Sequence, residues 1–307
     1  MKNLKSIAVI AAIIFISTLI TNCNNDDNSY ENNLNSNFIN KLENFNSNYL
    51  ETSIGKHKTI GSIANNNLSG KVACSDCWGG FLDFLTVAGA DIVGAGAGAV
   101  AVKEIAAGVG IATGGTGAAV VVGGAAVIAG AGASVAASNE LTKKQTGLKI
   151  SSKPFIKSLN INYPIEFMHL AECGKEHNIR VHNLKLNKIT QSKTFSENDE
   201  IFNSKEWKEV MDKIEREVQF YKDKSQINQL LSSFENESLI TENMSVVLGL
   251  FFDIYNKSEN NHNIEDITNF YIHSIADEET LSYQEKEALI SSFSVATESP
   301  YYWANQN

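Results

Sequence analysis

Residues 84–138 read FLTVAGADIVGAGAGAVAVKEIAAGVGIATGGTGAAVVVGGAAVIAGAGASVAAS, and the only charges among them are Asp91, Lys103 and Glu104. From Ile105 to Asn139 there is no charge over 35 residues, more than the roughly 20 that one membrane-spanning helix needs. Clustered glycines at Thr113-Gly114-Gly115-Thr116-Gly117 disfavour helix continuation by about 1 kcal/mol each relative to Ala. The stretch therefore predicts two helical arms, roughly Phe81 to Ile111 and Ala118 to Ala137, with a break between them. Of the 21 glycines in the 307-residue chain, 15 fall between Gly79 and Gly132. That clustering, with only 3 Pro in the chain, excludes collagen and general low-complexity disorder.

Small residues recur every four positions along both arms, which places them on one helix face. Ala90, Gly94 and Gly98 form one stripe, Ala106, Gly110 and Gly114 a second, and Ala126, Gly130 and Ser134 a third beside Ala125, Ala129, Ala133 and Ala137. Such stripes let two backbones approach closely, the contact that pairs helices in lipid. They predict a hairpin that packs on itself or forms a homo-oligomer, with these residues as the membrane helix-packing surface. Lys103-Glu104 would be costly at a bilayer centre, so a buried soluble hairpin is the competing reading.

Outward from the hairpin, Lys2 and Lys5 precede an apolar run from Ile7 to Ile20, the pattern of an export signal over 1–22. The run ends at Leu19-Ile20-Thr21-Asn22-Cys23. This resembles the lipobox of bacterial lipoproteins, which implies diacylation of Cys23 and an exported protein anchored to the cell envelope, with the outer membrane as its expected location. Two acyl chains give a stable anchor, since each buried methylene contributes about 0.8 kcal/mol. Asp26-Asp27 resembles the surface-export signals of some Gram-negative lipoproteins, although a solvated tether is the favoured account. Residues 23–70 read as an Asn-rich tether. Within it, Leu34, Phe38, Leu42, Phe45 and Tyr49 keep helical spacing over 33–51.

The lipobox followed by a Gly/Ala-rich hairpin is similar to the glycine-zipper two-transmembrane lipoproteins of Gram-negative envelopes. The hairpin also resembles the helices of two-peptide bacteriocins, which pair through Gly-x-x-x-Gly motifs. These resemblances imply, respectively, an envelope lipoprotein and a membrane-permeabilising effector. A shorter element, Tyr163 with Gly174-x-x-His177-Asn178, is similar to one found in uncharacterised envelope proteins with glycine-rich blocks, and implies no activity.

Catalytic and metal signatures are weak. In an oxidising compartment Cys74 and Cys77 form a disulfide candidate, with a Cys173 link or free thiols as alternatives. Cys74, Cys77, Cys173 and His177 supply the donor types of a zinc site, but 96 positions separate Cys77 from Cys173. Cys173 and His177 are thus only weak metal candidates, and no cofactor is expected. Glu166/His169 and Glu259/His262 have Glu-x-x-His spacing yet read as structural. A metal enzyme using His169, Glu172 and His177 is the third and least favoured function. The chain has no phosphate-binding loop and no nucleophile elbow, so an enzyme is not expected.

Residues 139–160 form a basic connector suited to anionic head groups. The span 139–195 carries 10 basic and 4 acidic residues, and 196–307 carries 8 and 22. The formal charge of −10 argues against nucleic acid as a partner. Membrane lipid is the expected one. From 161 to 307 the apolar spacing is helical, as in Trp207, Val210, Met211, Ile214, Val218 and Tyr221. Further helices are expected over Ile264–Leu281, Met244–Tyr255 and Tyr283–Val295. The whole chain reads as all-α: signal and tether, glycine-zipper hairpin over 71–138, then a small acidic helical bundle.

Overall fold

A computed structural model describes residues 34–60, 77–108, 116–142, 154, 156, 159–186, 200–221, 224–257 and 261–304. The export signal, Cys23, Cys74, Gly110, Gly114, Glu259 and most of the basic connector lie outside these. The protein is all-α, with ten α-helices and no strand among the described residues. In chain order these are α1 (Ser36–Ile60), α2 (Cys77–Gly108), α3 (Thr116–Thr142), α4 (Cys173–Lys185), α5 (Glu200–Asn203), α6 (Lys205–Phe220), α7 (Ile227–Asn236), α8 (Glu242–Tyr255), α9 (Asn261–Asp277) and α10 (Tyr283–Ala304). A 3₁₀ helix, Ile165–Leu170, precedes α4.

The unit from Leu34 to Asn307 is compact, and its centre is the Gly/Ala hairpin. Arms α2 and α3 pack on each other most extensively, and α10 lies along α2. Neither arm has a polar face, which in water requires burial on every side. Val87–Val102 is buried throughout, and so is most of Val122–Ser138. The hairpin is thus an inner layer, covered by α4, α6 and α10.

The outer helices follow from amphipathic spacing and side-chain caps. In α6, Trp207, Ile214 and Val218 are buried, and the Ser204 hydroxyl accepts from Trp207 N at 3.0 Å. Ser282 and Glu285 form a reciprocal capping box at the start of α10, with Glu285 N donating to Ser282 Oγ at 3.2 Å and Ser282 N to Glu285 Oε2 at 2.8 Å. Helix α1 extends beyond the 33–51 expected from the sequence. It docks through Leu34, Phe38 and Leu42, and buried Asn46 donates to Leu250 O at 2.8 Å and accepts from Tyr271 OH at 3.0 Å.

Pro300 lies inside α10 and, having no N–H, leaves the Ala296 carbonyl without its helical donor. Tyr255 OH of α8 donates to that carbonyl at 2.7 Å. The helix therefore runs on to Ala304, with Ser299 just before the proline and Trp303 beyond it.

Candidate functional site

Chemistry-bearing residues converge where α2, α3, α4 and α10 meet. Close approach comes first, and glycines provide it. A Cβ on Gly94 would stand 2.6 Å from Ala133 Cβ, and one on Gly98 would meet the Ala125 carbonyl oxygen at 2.6 Å. The Ala90/Gly94/Gly98 stripe thus faces the Ala125/Ala129/Ala133 stripe of α3. Gly96 turns elsewhere, towards Ser292 Oγ and Met244 Cε, and Gly132 faces Met211 of α6. In the third stripe, Gly130 is the crossing point, with Asp91 O and His177 Cδ2 each 3.1 Å from where its Cβ would be.

Gly174, His177 and Asn178 lie three and four positions apart, on one face of α4. A Cβ on Gly174 would run into the Ser294 carbonyl of α10, and Gly174 N donates to Ser294 Oγ at 3.0 Å. Asn178 Nδ2 donates to the Glu298 carbonyl at 3.0 Å. His177 points between the arms, its Nε2 3.7 Å from Asp91 Oδ2 and its Nδ1 3.1 Å from Asn178 Oδ1. The element noted in sequence is therefore a clasp: the glycine admits α10, the asparagine binds it, and the histidine reaches the hairpin.

Asp91 and His177 are both wholly buried. Ser299 Oγ donates to Asp91 Oδ2, Trp303 Nε1 donates to the same oxygen at 3.4 Å, and the Ser134 hydroxyl faces the carboxylate. Asp91 Oδ1, Ser134 Oγ and His177 Nε2 are buried without a hydrogen bond of ordinary geometry. Burial pushes the Asp91 carboxyl above the usual carboxylate range, against the opposing effects of His177 and the three donors. Shut away from solvent, the cluster is a polar contact joining α2, α3, α4 and α10. It has no opening for a substrate.

A second polar knot answers the charge cost expected at Lys103-Glu104. Lys103 pairs with Glu287 of α10, and His169 Nε2 is 3.2 Å from Glu287 Oε1. The Lys103 ammonium also sits 5.1 Å over the Tyr283 ring. Burial raises the Glu287 carboxyl, yet His169 and Lys103 outweigh it and hold the group below its usual value.

The remaining sequence candidates are dispersed. Ala106 is buried near the end of α2 and Ala126 within α3. Cys77 opens α2, but a Cys74–Cys77 link falls outside the described residues. Cys173 is a buried free thiol 3.9 Å from the Gly123 carbonyl, and burial raises it well above an ordinary thiol. His169, Glu172 and His177 go to three places, since Glu172 pairs with Lys175 at 2.8 Å. Among the described residues no group of three or more His, Cys, Asp or Glu is placed to hold a metal.

Sequence reasoning missed Asp91 as the partner of His177, because 86 positions separate them and only the fold joins them. The signal available was Asp91 as the one charge between Phe84 and Val102. No known protein family, curated protein or solved structure matches the chain.

Proposed function

We propose that this is a non-enzymatic cell-envelope protein, exported and held to a membrane by lipid on Cys23, with its glycine-rich hairpin stored as the core of a water-facing helical bundle. The observation that carries this reading is the sheathing of two arms with no polar face, 32 and 27 residues long, by helices whose outer faces are polar. The bundle supplies the apolar surroundings that the arms need, and the N-terminal segment supplies the membrane attachment. Replacing Cys23 by Ala should move the protein from membranes into the soluble fraction. Persistence of Cys23→Ala protein in carbonate-washed membranes would transfer the attachment to the apolar run Ile7–Ile20 or to the hairpin.

A second reading has its own support. Val121–Ser138 is long and apolar enough to cross a membrane, and the seam holding α10 on α2 includes hydroxyls, such as Ser292 opposite Gly96 and Ser299 on Asp91. A hairpin that left this seam could insert, pair with a second copy and permeabilise a bilayer, as a bacteriocin-like effector would. Adding the full chain to dye-loaded vesicles distinguishes the two: storage predicts retained dye, and release predicts leakage.

A further inference from the structure

We propose that the end of the bundle carrying Ile165, Met168 and Tyr283 is the face the protein lays on a lipid surface. This rests on the reading that the N-terminal segment holds the chain at a membrane, whether through acylated Cys23 or through the apolar run Ile7–Ile20 itself.

Three observations converge on that end. The first is exposed apolar surface. Ile165 is 89% exposed, Met168 54% and Tyr283 53%. Ile165 and Met168 are three apart in a 3₁₀ helix, where such side chains eclipse and share a face. Neighbouring Phe167 stacks on Tyr283 with ring centroids 5.4 Å apart, which joins the two segments into one patch. Among the described residues the other strongly exposed aromatic is Phe220. It belongs to the opposite part of the bundle, beside Tyr221, whose hydroxyl meets Gly89, and is bordered by Glu217, Gln226 and Gln229. Single exposed apolar residues are ordinary, whereas grouped ones point to a contact.

The second observation is where the chain enters the bundle. Asn35 N donates to Thr280 Oγ1 at 3.3 Å, three residues before Tyr283. The described chain therefore enters the bundle at the patch end. Only ten residues, 24–33, separate Cys23 from Leu34, and fully extended they reach at most about 35 Å. A tether this short joins the anchor to the bundle at this end.

The third is the hairpin's direction. Gln284 Nε2 donates to the Val100 carbonyl at 3.1 Å and Lys103 lies over Tyr283, whereas Asp91 meets Ser299 and Trp303 further along α10. The C-terminal end of α2 is thus at the patch. The same end carries the chain entry and the apolar side chains. Lys103 and His169 are engaged with Glu287, so contact comes from apolar insertion and needs no anionic lipid.

The test uses the full-length chain in Cys74→Ser/Cys77→Ser background, with Ile165→Cys, Met168→Cys or, as the far-surface control beside Phe220, Gln229→Cys carrying an environment-sensitive dye. Reconstituted with phosphatidylcholine vesicles containing brominated acyl chains, the labels at 165 and 168 should be quenched several-fold more than that at 229. Equal quenching at all three overturns the proposal. A blue shift at 165 and 168 that develops with protein concentration in vesicle-free buffer assigns the face to a second copy instead, and also overturns it. Intact mass of the same sample reads the acyl chains on Cys23 separately. A missing lipid overturns that anchor while the quenching ratio of the bound protein still decides the orientation.

Discussion

Glu287 and Asp91 are buried carboxylates on helices that face each other, and their titrations pull stability in opposite directions. Lys103 and His169 hold Glu287 below its ordinary value against the effect of burial. Its contribution is therefore present above the usual Glu pKa near 4.3 and is lost as pH falls through the depressed folded value. Asp91 is raised by burial. Its contribution is complete below the usual Asp pKa near 3.9 and is lost as pH rises through the folded value. The Glu287→Gln variant should lose most against the parent near neutral pH and approach it in acid. Asp91→Asn keeps the shape and an acceptor for Ser299 and Trp303, so its stability relative to the parent should improve as pH rises above the usual Asp value near 3.9, until Asp91 ionises in the folded state. Urea midpoints from about pH 2 to about pH 8 check both, and a gap that stays constant over that whole range for either variant would remove the corresponding assignment.

Among the elements, glycines with different surroundings should respond with opposite signs to one added methyl. At Gly98 the new Cβ meets the α3 backbone, and the two arms cannot separate without opening the layer that covers them. Gly98→Ala should destabilise by about 1–3 kcal/mol, the usual cost of overpacking. At Gly249, in the middle of α8, the nearest atom is Leu231 Cδ1 at 3.9 Å. Gly249→Ala should therefore stabilise by about 0.5–1 kcal/mol through helix propensity. Thermal unfolding of the two variants tests the contrast, and destabilisation at Gly249 would show that the α8 contact is tighter than described.

The same elements show what sequence can reveal. The arms were legible because they are long, uncharged and broken by clustered glycines. Helix α6 was legible because Trp207, Ile214 and Val218 keep a helical period. Helix α4 was not, because its buried face is Cys173, Gly174, Glu176, His177, Asn178, Val181 and His182, and so many polar groups leave no apolar stripe. Helix α7 carries the period in Ile227, Leu230, Leu231 and Phe234, but over only ten residues, and it escaped the reading. The small-residue stripes were visible as faces. Which helix each would meet depended on a crossing geometry that spacing does not encode.

For the whole molecule, the question is whether the hairpin ever leaves its sheath, and α10 is the helix to fasten. Gly96 of α2 and Ser292 of α10 face each other closely enough that a Cβ on Gly96 would lie 2.7 Å from Ser292 Oγ. That proximity fits the roughly 3.5–4.5 Å between Cβ atoms that a disulfide spans. Gly96→Cys with Ser292→Cys, in a Cys74→Ser/Cys77→Ser background, should oxidise to a staple across the seam without moving either helix axis. If the hairpin is a permanent core, oxidised and reduced forms should bind vesicles equally and retain trapped dye equally, and both should depend on Cys23 for attachment. If the hairpin is a stored membrane element, the reduced form should release dye and the oxidised form should not, with leakage returning on addition of a thiol. The stored-core reading predicts the first pattern. Thiol-dependent leakage would replace it with an effector whose bundle opens along α10, the helix whose hydroxyls and carboxylates meet α2 at Gly96, Asp91 and Lys103.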